Sequence, residues 1–176
     1  MKADKKPPAW PLDIYKIFKQ IGIRQIAYVP DAGHTRLIKS CHADKSMQTV
    51  SLTTEEEGVA MLAGTWLGGE RGALLMQSSG VGNCINMFGM IQECRFPLLM
   101  LVTMRGEWGE FNPWQLPMGQ STQKALENAG VIVQRVDDAA QAGATVFAAA
   151  QMAFSSNRAI AVLIGQRVIG FKDWSK

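Results

Sequence analysis

Residues 48–83 read QTVSLTTEEEGVAMLAGTWLGGERGALLMQSSGVGN. A β-branched run, QTVSLT, meets three consecutive carboxylates, Glu55, Glu56 and Glu57, and an apolar small-residue helix, GVAMLAGTWL, follows them directly. A second apolar strand, GALLMQS, then runs into the glycine turn SGVGN. Strand, helix and strand in this order make a βαβ unit, whose crossover helix lets the two strands run parallel. Acids in a helix's first turn complement the positive end of its dipole, and Thr54 is placed to cap it. That accounts for acids in general and leaves open whether one of the three serves chemistry.

The same alternation runs outward in both directions. Helix LDIYKIFKQIG leads to strand IRQIAYV and the loop PDAGH, and helix TRLIKSCHA follows. Beyond the glycine turn come helix CINMFGMIQEC, strand FPLLMLVTM and a long polar segment, RGEWGEFNPWQLPMGQST. A helix near KALENAG, strand VIVQRV, helix DAAQAGATVFAAAQMAF and strand AIAVLIG complete the pattern. Six strands alternating with helices predict an α/β fold, a three-layer αβα arrangement around a six-stranded, mostly parallel sheet. The strands are almost continuously apolar, as parallel strands buried on both faces are. One domain over residues 11–170 is expected, between an N-terminal tail, 1–10, and a C-terminal tail, 171–176. Ligands of open α/β sheets bind beyond the carboxyl ends of the strands. Four such junctions carry unusual residues, PDAGH, TTEEEG, SSGVGN and MRGEWGEFNPWQ, and this topology gathers them along one edge.

Composition narrows the classes. With 176 residues, 47% of them hydrophobic and 19% charged, the chain has enough apolar material for a substantial core and no signature of disorder. Its net charge of +3 is scattered, and the basic MKADKK reads as a solvated tail, so no nucleic-acid surface is expected. The longest apolar run, FPLLMLV, is too short to span a membrane, and the N-terminus lacks the apolar core of a signal peptide. Cys41, Cys84 and Cys94 form no CxxC and leave an odd thiol, which favours a reducing, cytoplasmic setting. The His and Cys spacings match no ligand set, so no metal site is expected on this chain. SSGVGN has GxG before a helix but lacks the third glycine of the dinucleotide fingerprint, and neither a P-loop nor GxSxG is present. His42, at a helix end among charged neighbours, reads as surface. His34, in PDAGH, is open between capping its loop and a functional role.

Taken together, VPDAGH, EEEGVAMLAGTWLGG, MQSSGVGNCIN and RGEWGEFNPWQLPMG, in this order over residues 12–165, resemble the pyrimidine-binding (Pyr) half of thiamine-diphosphate enzymes. Within that group the resemblance is to the sulfopyruvate and phosphonopyruvate decarboxylases. It implies the Pyr type of ThDP-binding fold, with thiamine diphosphate (ThDP) as cofactor. It also implies that one glutamate hydrogen-bonds the pyrimidine N1′ and activates the cofactor, which carries the carbanion chemistry. The family pattern sets this glutamate nine residues before the glycine of an Ala–Gly pair, and Ala63–Gly64 then points to Glu55. Gly80, Gly82 and Asn83 match the pocket wall near the pyrimidine, where glycine allows close approach and positive φ. Asp31, His34, Arg105 and Gln115 fall on the substrate side. Arg105 has two readings, a receptor for an anionic head or a salt bridge to Glu107 or Glu110. Trp108 and Trp114 suit a lid or a subunit contact.

The GDG motif and downstream Asn that hold Mg²⁺ and diphosphate in the family are absent from this sequence. The resemblance therefore implies a separate β (PP-domain) subunit that bears the GDG motif and holds Mg²⁺, in an α₂β₂ or larger assembly. The implied reaction is decarboxylation of a small anionic 2-oxo acid, foremost 3-sulfopyruvate to sulfoacetaldehyde and CO₂. A phosphonopyruvate-like acid, a carboligation, or a non-catalytic flavodoxin-like module are the alternatives. The phosphonopyruvate-type loop has a histidine where Gln115 stands, and glutamine is no acid at neutral pH. Protonation after CO₂ loss then falls to His34, a water or the partner subunit.

Overall fold

Two strands, β4 (Leu98–Thr103) and β6 (Ala159–Ile164), are buried at every residue and lie side by side inside the sheet. Around them a computed structural model, describing residues 9–170, places β1 (Ile23–Tyr28), β2 (Gln48–Ser51), β3 (Arg71–Gln77) and β5 (Ile132–Val136). The order is β2-β1-β3-β4-β6-β5, and every neighbouring pair is parallel. The six-stranded α/β expectation holds, with the sheet wholly rather than mostly parallel. The edge strands β2 and β5 are the least buried, as position in the sheet requires. The basic N-terminal stretch of residues 1–8 and the predicted tail 171–176 lie outside the described residues.

Right-handed crossovers sort the helices by the direction in which the chain steps across the sheet. Helices α1 (Trp10–Gln20), α2 (Thr35–Ala43) and α7 (Ala142–Ser156) cover one face, with Phe18, Leu37 and Val146 in its core. Helices α3 (Glu55–Leu67), α4 (Ser78–Cys84), α5 (Phe88–Cys94) and α6 (Leu116–Asn128) cover the other, with Val59, Val81, Phe88 and Leu126. A short α8 (Gln166–Ile169) follows β6. In α1, Trp10, Ile14 and Phe18 recur every four residues and bury one stripe, and Pro11 in the first turn removes an N–H that has no helical partner. Trp10, assigned by sequence to the tail, is therefore a core residue. Among the described residues no helix is long and apolar enough to cross a membrane. All three cysteines are free; burial pushes the Cys41 and Cys84 thiols up to about 12, while Cys94 is exposed.

Two local expectations are corrected. The predicted turn SGVGN is α4, which starts on the residue after β3 ends. Ser and Gly are poor helix formers, but packing against α3 and α6 overrides propensity here. The end of the predicted polar segment, from Leu116 to Thr122, is helical as well, because α6 begins at Leu116 rather than near Lys124. Its start is set by backbone contact with the chain leaving β4. A Cβ on Gly119 would overlap the carbonyl oxygen of Arg105, and one on Gly106, at φ +75°, would overlap that of Gln115.

This contact yields a paired expectation for urea unfolding. Gly119→Ala destabilises the chain by about 1–3 kcal/mol, because backbone rather than a movable side chain is in the way. Gly64→Ala, in α3 with nothing within 4 Å of an added Cβ, stabilises it by roughly 0.5–1 kcal/mol. Equal midpoints for the two variants would contradict this account.

Candidate active site

Glu55, Glu56 and Glu57 open α3, and the fold gives them three different surroundings. Glu57 turns back so that its Oε2 accepts from the Thr53 N–H at 2.9 Å, much as in a capping box. Thr54 has the extended backbone of an N-cap but no side-chain cap bond, so the cap expected from its hydroxyl is not formed. Glu56 is exposed. Glu55 is only 7% exposed, and its Oε2 accepts from Asn83 Nδ2 at 2.8 Å. Its carboxyl lies on the α-carbon of Gly80, where an added Cβ would overlap Cδ and Oε1 of Glu55. The constraint there is one of contact and not of φ, since a Cβ would displace the Glu55 carboxyl from its place. Neither Gly80 nor Gly82 has positive φ, which corrects the expected turn geometry. A Cβ on Gly82 would come no nearer than 3.4 Å to Met118 Sδ, so glycine is not demanded at that position. No hydrogen bond reaches Oε1 of Glu55 from the described residues. A buried carboxyl oriented by one donor, with acceptor capacity unspent, is equipped to engage a ligand.

A second cluster lies at the carboxyl ends of β1, β3 and β4. Asp31 Oδ1 accepts from Gln77 Nε2 at 2.9 Å, and Oδ2 accepts from Thr103 Oγ1 at 2.6 Å and the Gly33 N–H at 3.0 Å. Gln77 and Thr103 are the last residues of β3 and β4, so one carboxylate ties three adjacent strand ends together. Asp31, Ala32, Gly33, Thr103, Arg105, Ile169 and Gly170 line a cavity of about 170 Å³. α4 joins this cluster to the first. Ser78 follows Gln77, its Oγ accepts from the Arg105 N–H at 3.1 Å, and Gly80 lies under Glu55 in the same helix.

Arg105 resolves toward the salt bridge: Nε and Nη2 donate to the two oxygens of Glu110 at 2.6 and 2.5 Å, and the guanidinium lies over the Phe111 ring. Its side chain remains 21% exposed on the cavity, against 2% for Glu110. The Arg105 guanidinium, supported by N–H groups of Asn112 and Gly106, holds the Glu110 carboxyl down to about 2. Glu107 pairs instead with Arg135 at 2.8 Å. The buried Gln166 binds the same loop: its Oε1 accepts from the N–H groups of Glu107 and Trp108, and its Nε2 donates to Glu110, all at 2.9 Å. Sequence reasoning missed Gln77, Thr103 and Gln166. For Gln77 and Thr103 the available signal was a polar residue at the end of an otherwise apolar strand; Gln166 offered none.

Two of the expected substrate contacts, His34 and Gln115, do not line this cavity. His34 is fully buried rather than facing the cavity, and its Nε2 donates to the Leu101 carbonyl at 3.0 Å. Bonding to a carbonyl puts the proton on Nε2 and leaves Nδ1 bare, buried and without a hydrogen-bond partner among the described residues. Gln115 lies in a 3-10 turn, Pro113–Gln115, outside the wall of this cavity, and its Oε1 is buried without a hydrogen-bond partner among the described residues. Burial pushes the His34 imidazole below its ordinary value of 6.5, so the folded chain disfavours the cation. The unfolded chain then binds more protons in acid, and stability falls as the pH drops below about 6.5, by up to about 1.4 kcal/mol per pH unit until the folded ring also protonates. Melting temperatures at pH 7.5 and 5.5 measure this fall. His34→Gln, which keeps an N–H for Leu101, is expected to show a smaller one.

Comparison with known proteins places the chain. No family model matches it. It is 37% identical over 119 residues to sulfopyruvate decarboxylase subunit alpha of Methanococcus maripaludis, covering 67% of this chain and 71% of that one. It is 30% identical over 152 residues to the same subunit of Methanothermobacter thermautotrophicus, covering 86% and 92%. Phosphonopyruvate decarboxylase of Streptomyces viridochromogenes is 32% identical over 131 residues, 73% of this chain but 33% of that longer protein. Among solved structures, 2-oxoglutarate:ferredoxin oxidoreductase of Magnetococcus marinus superposes with a TM-score of 0.75 at 15% identity, over 91% of this chain and 29% of the other, which shows a shared fold. The chain belongs to the family of sulfopyruvate decarboxylase alpha subunits, with the phosphonopyruvate decarboxylases as more distant relatives.

Proposed function

We propose that this chain is the Pyr-type alpha subunit of a ThDP-dependent decarboxylase that converts 3-sulfopyruvate to sulfoacetaldehyde and CO₂. The observation that carries the reading is Glu55, a buried carboxyl oriented by Asn83 against the bare backbone of Gly80. These residues fit the pyrimidine half of the cofactor: Glu55 would take the hydrogen bond of N1′, and Asn83 keeps its carboxyl from rotating. Thiamine diphosphate, when bound, supplies the electron sink for the carbanion left as CO₂ departs. Arg105 offers its remaining N–H groups to the acidic head of the substrate, and Asp31, held by Gln77 and Thr103, shapes the other side of the cavity.

Among the described residues no group of three or more His, Cys, Asp and Glu is placed to hold a metal ion. Mg²⁺ and the diphosphate are assigned to a GDG-bearing β subunit, in an α₂β₂ or larger assembly in the cytoplasm, where three free thiols persist. The name "subunit alpha" of the relatives supports a partner. So do Trp114, 85% exposed, and its neighbours Phe111 and Leu116 on the same rim, since aromatics are enriched at interfaces.

The test is CO₂ release from sulfopyruvate by the co-expressed α and β chains with ThDP and Mg²⁺. Glu55→Gln is expected to lower kcat by about a hundredfold or more, and Asn83→Ala by about tenfold. Full activity in Glu55→Gln would remove the cofactor role from this residue. Calorimetry should find ThDP bound tightly by the complex and poorly by this chain alone. Turnover of phosphonopyruvate in place of sulfopyruvate would move the substrate assignment to the more distant relatives.

A further inference from the structure

We infer that Gln166 is a positioning residue for substrate recognition: through Glu110 it fixes the guanidinium of Arg105 that meets the substrate's acidic head, a role that rests on the substrate reading above. Gln166 is 1% exposed and starts α8 just beyond β6, the neighbour of β4 in the sheet, so it stands beside the chain leaving β4. Its three side-chain hydrogen bonds all go to the segment after Arg105, two accepted from the N–H groups of Glu107 and Trp108 and one donated to Glu110 Oε2. Two donors on one side and a carboxylate on the other demand a neutral amide in this orientation; an acid or an apolar side chain cannot serve both.

The carboxylate that Gln166 holds is the template for Arg105. Glu110 receives Arg105 Nε and Nη2 as a fork, and two parallel bonds fix the plane of the guanidinium as one cannot. The N–H groups left over belong to a side chain that lines the 170 Å³ cavity. Asp31 also lines that cavity and its carboxylate repels an anion, so the seat for an acidic head lies at Arg105. Ile169 and Gly170, in the same wall, belong to the segment that Gln166 begins.

The test is steady-state kinetics of the co-expressed complex on sulfopyruvate for Arg105→Met, Gln166→Met and the double variant, with ThDP affinity measured for each. Arg105→Met is expected to raise KM by about a hundredfold and Gln166→Met by about tenfold. For Gln166→Met, kcat stays within about threefold and cofactor affinity is unchanged, the split expected when substrate binding alone is touched. The double variant is no worse than Arg105→Met, because Gln166 acts only through that side chain. Gln166→Glu keeps the shape and the acceptor but sets a carboxylate against Glu110; it gives the same rise in KM and serves if the methionine variant fails to assemble. A KM unmoved by both Gln166 variants, a loss of kcat and cofactor affinity at constant KM, or single effects that multiply in the double variant would overturn the inference while leaving Arg105 in place. A KM unmoved by Arg105→Met overturns the substrate reading, and the inference with it.

Discussion

Parallel strands leave no face of a sheet open: each of the six here needs helices on both sides, and their common direction brings every strand-to-helix junction to one edge. The rest of the molecule depends on that constraint. It brings the ends of β1, β3 and β4 close enough for a single carboxylate, Asp31, to bond to Gln77 and Thr103 at once. It also sets the starts of α3 and α4 next to each other, which lets Asn83 reach Glu55. Polar groups converge at this edge because the interior of the sheet accepts none of them.

Burial then divides the work among chemically identical side chains. Glu57, Glu56 and Glu55 are consecutive, yet one holds the backbone N–H of Thr53 ahead of its helix, one is solvated and one is buried against a neighbouring helix. The carboxylates of Glu107 and Glu110 diverge in the same way. Glu107 pairs with the half-exposed Arg135, whereas Glu110 is enclosed and saturated by donors from Arg105, Gly106, Asn112 and Gln166. The difference in environment, not in residue type, decides which group is available to a ligand.

Much of this was legible in the sequence, and the exceptions have a common cause. The strands were readable because β4 and β6 are apolar throughout, while the role proposed for Glu55 rests on its spacing to Ala63–Gly64 in the resembled family. α4 was misread as a turn because its Ser and Gly residues have low helix propensity, and only contact with α3 and α6 makes the helix worthwhile. The inward rotation of His34 and the reach of Gln166 to a loop 59 residues earlier are tertiary facts. No local pattern encodes them. Arg105 stood between two readings because both partners, the internal carboxylate and an external anion, suit the same guanidinium.

The contact between Glu55 and Gly80 also constrains how this protein can change. A methyl group at position 80 occupies the volume of the carboxyl at 55, so the two positions cannot vary independently. A side chain at 80 becomes admissible only after the one at 55 has been shortened or turned away. A glutamate restored at 55 while position 80 carries a Cβ has to adopt a different side-chain conformation from the present one. The pair is thus a linked unit, in which the place of the acid at 55 depends on the absence of a side chain at 80.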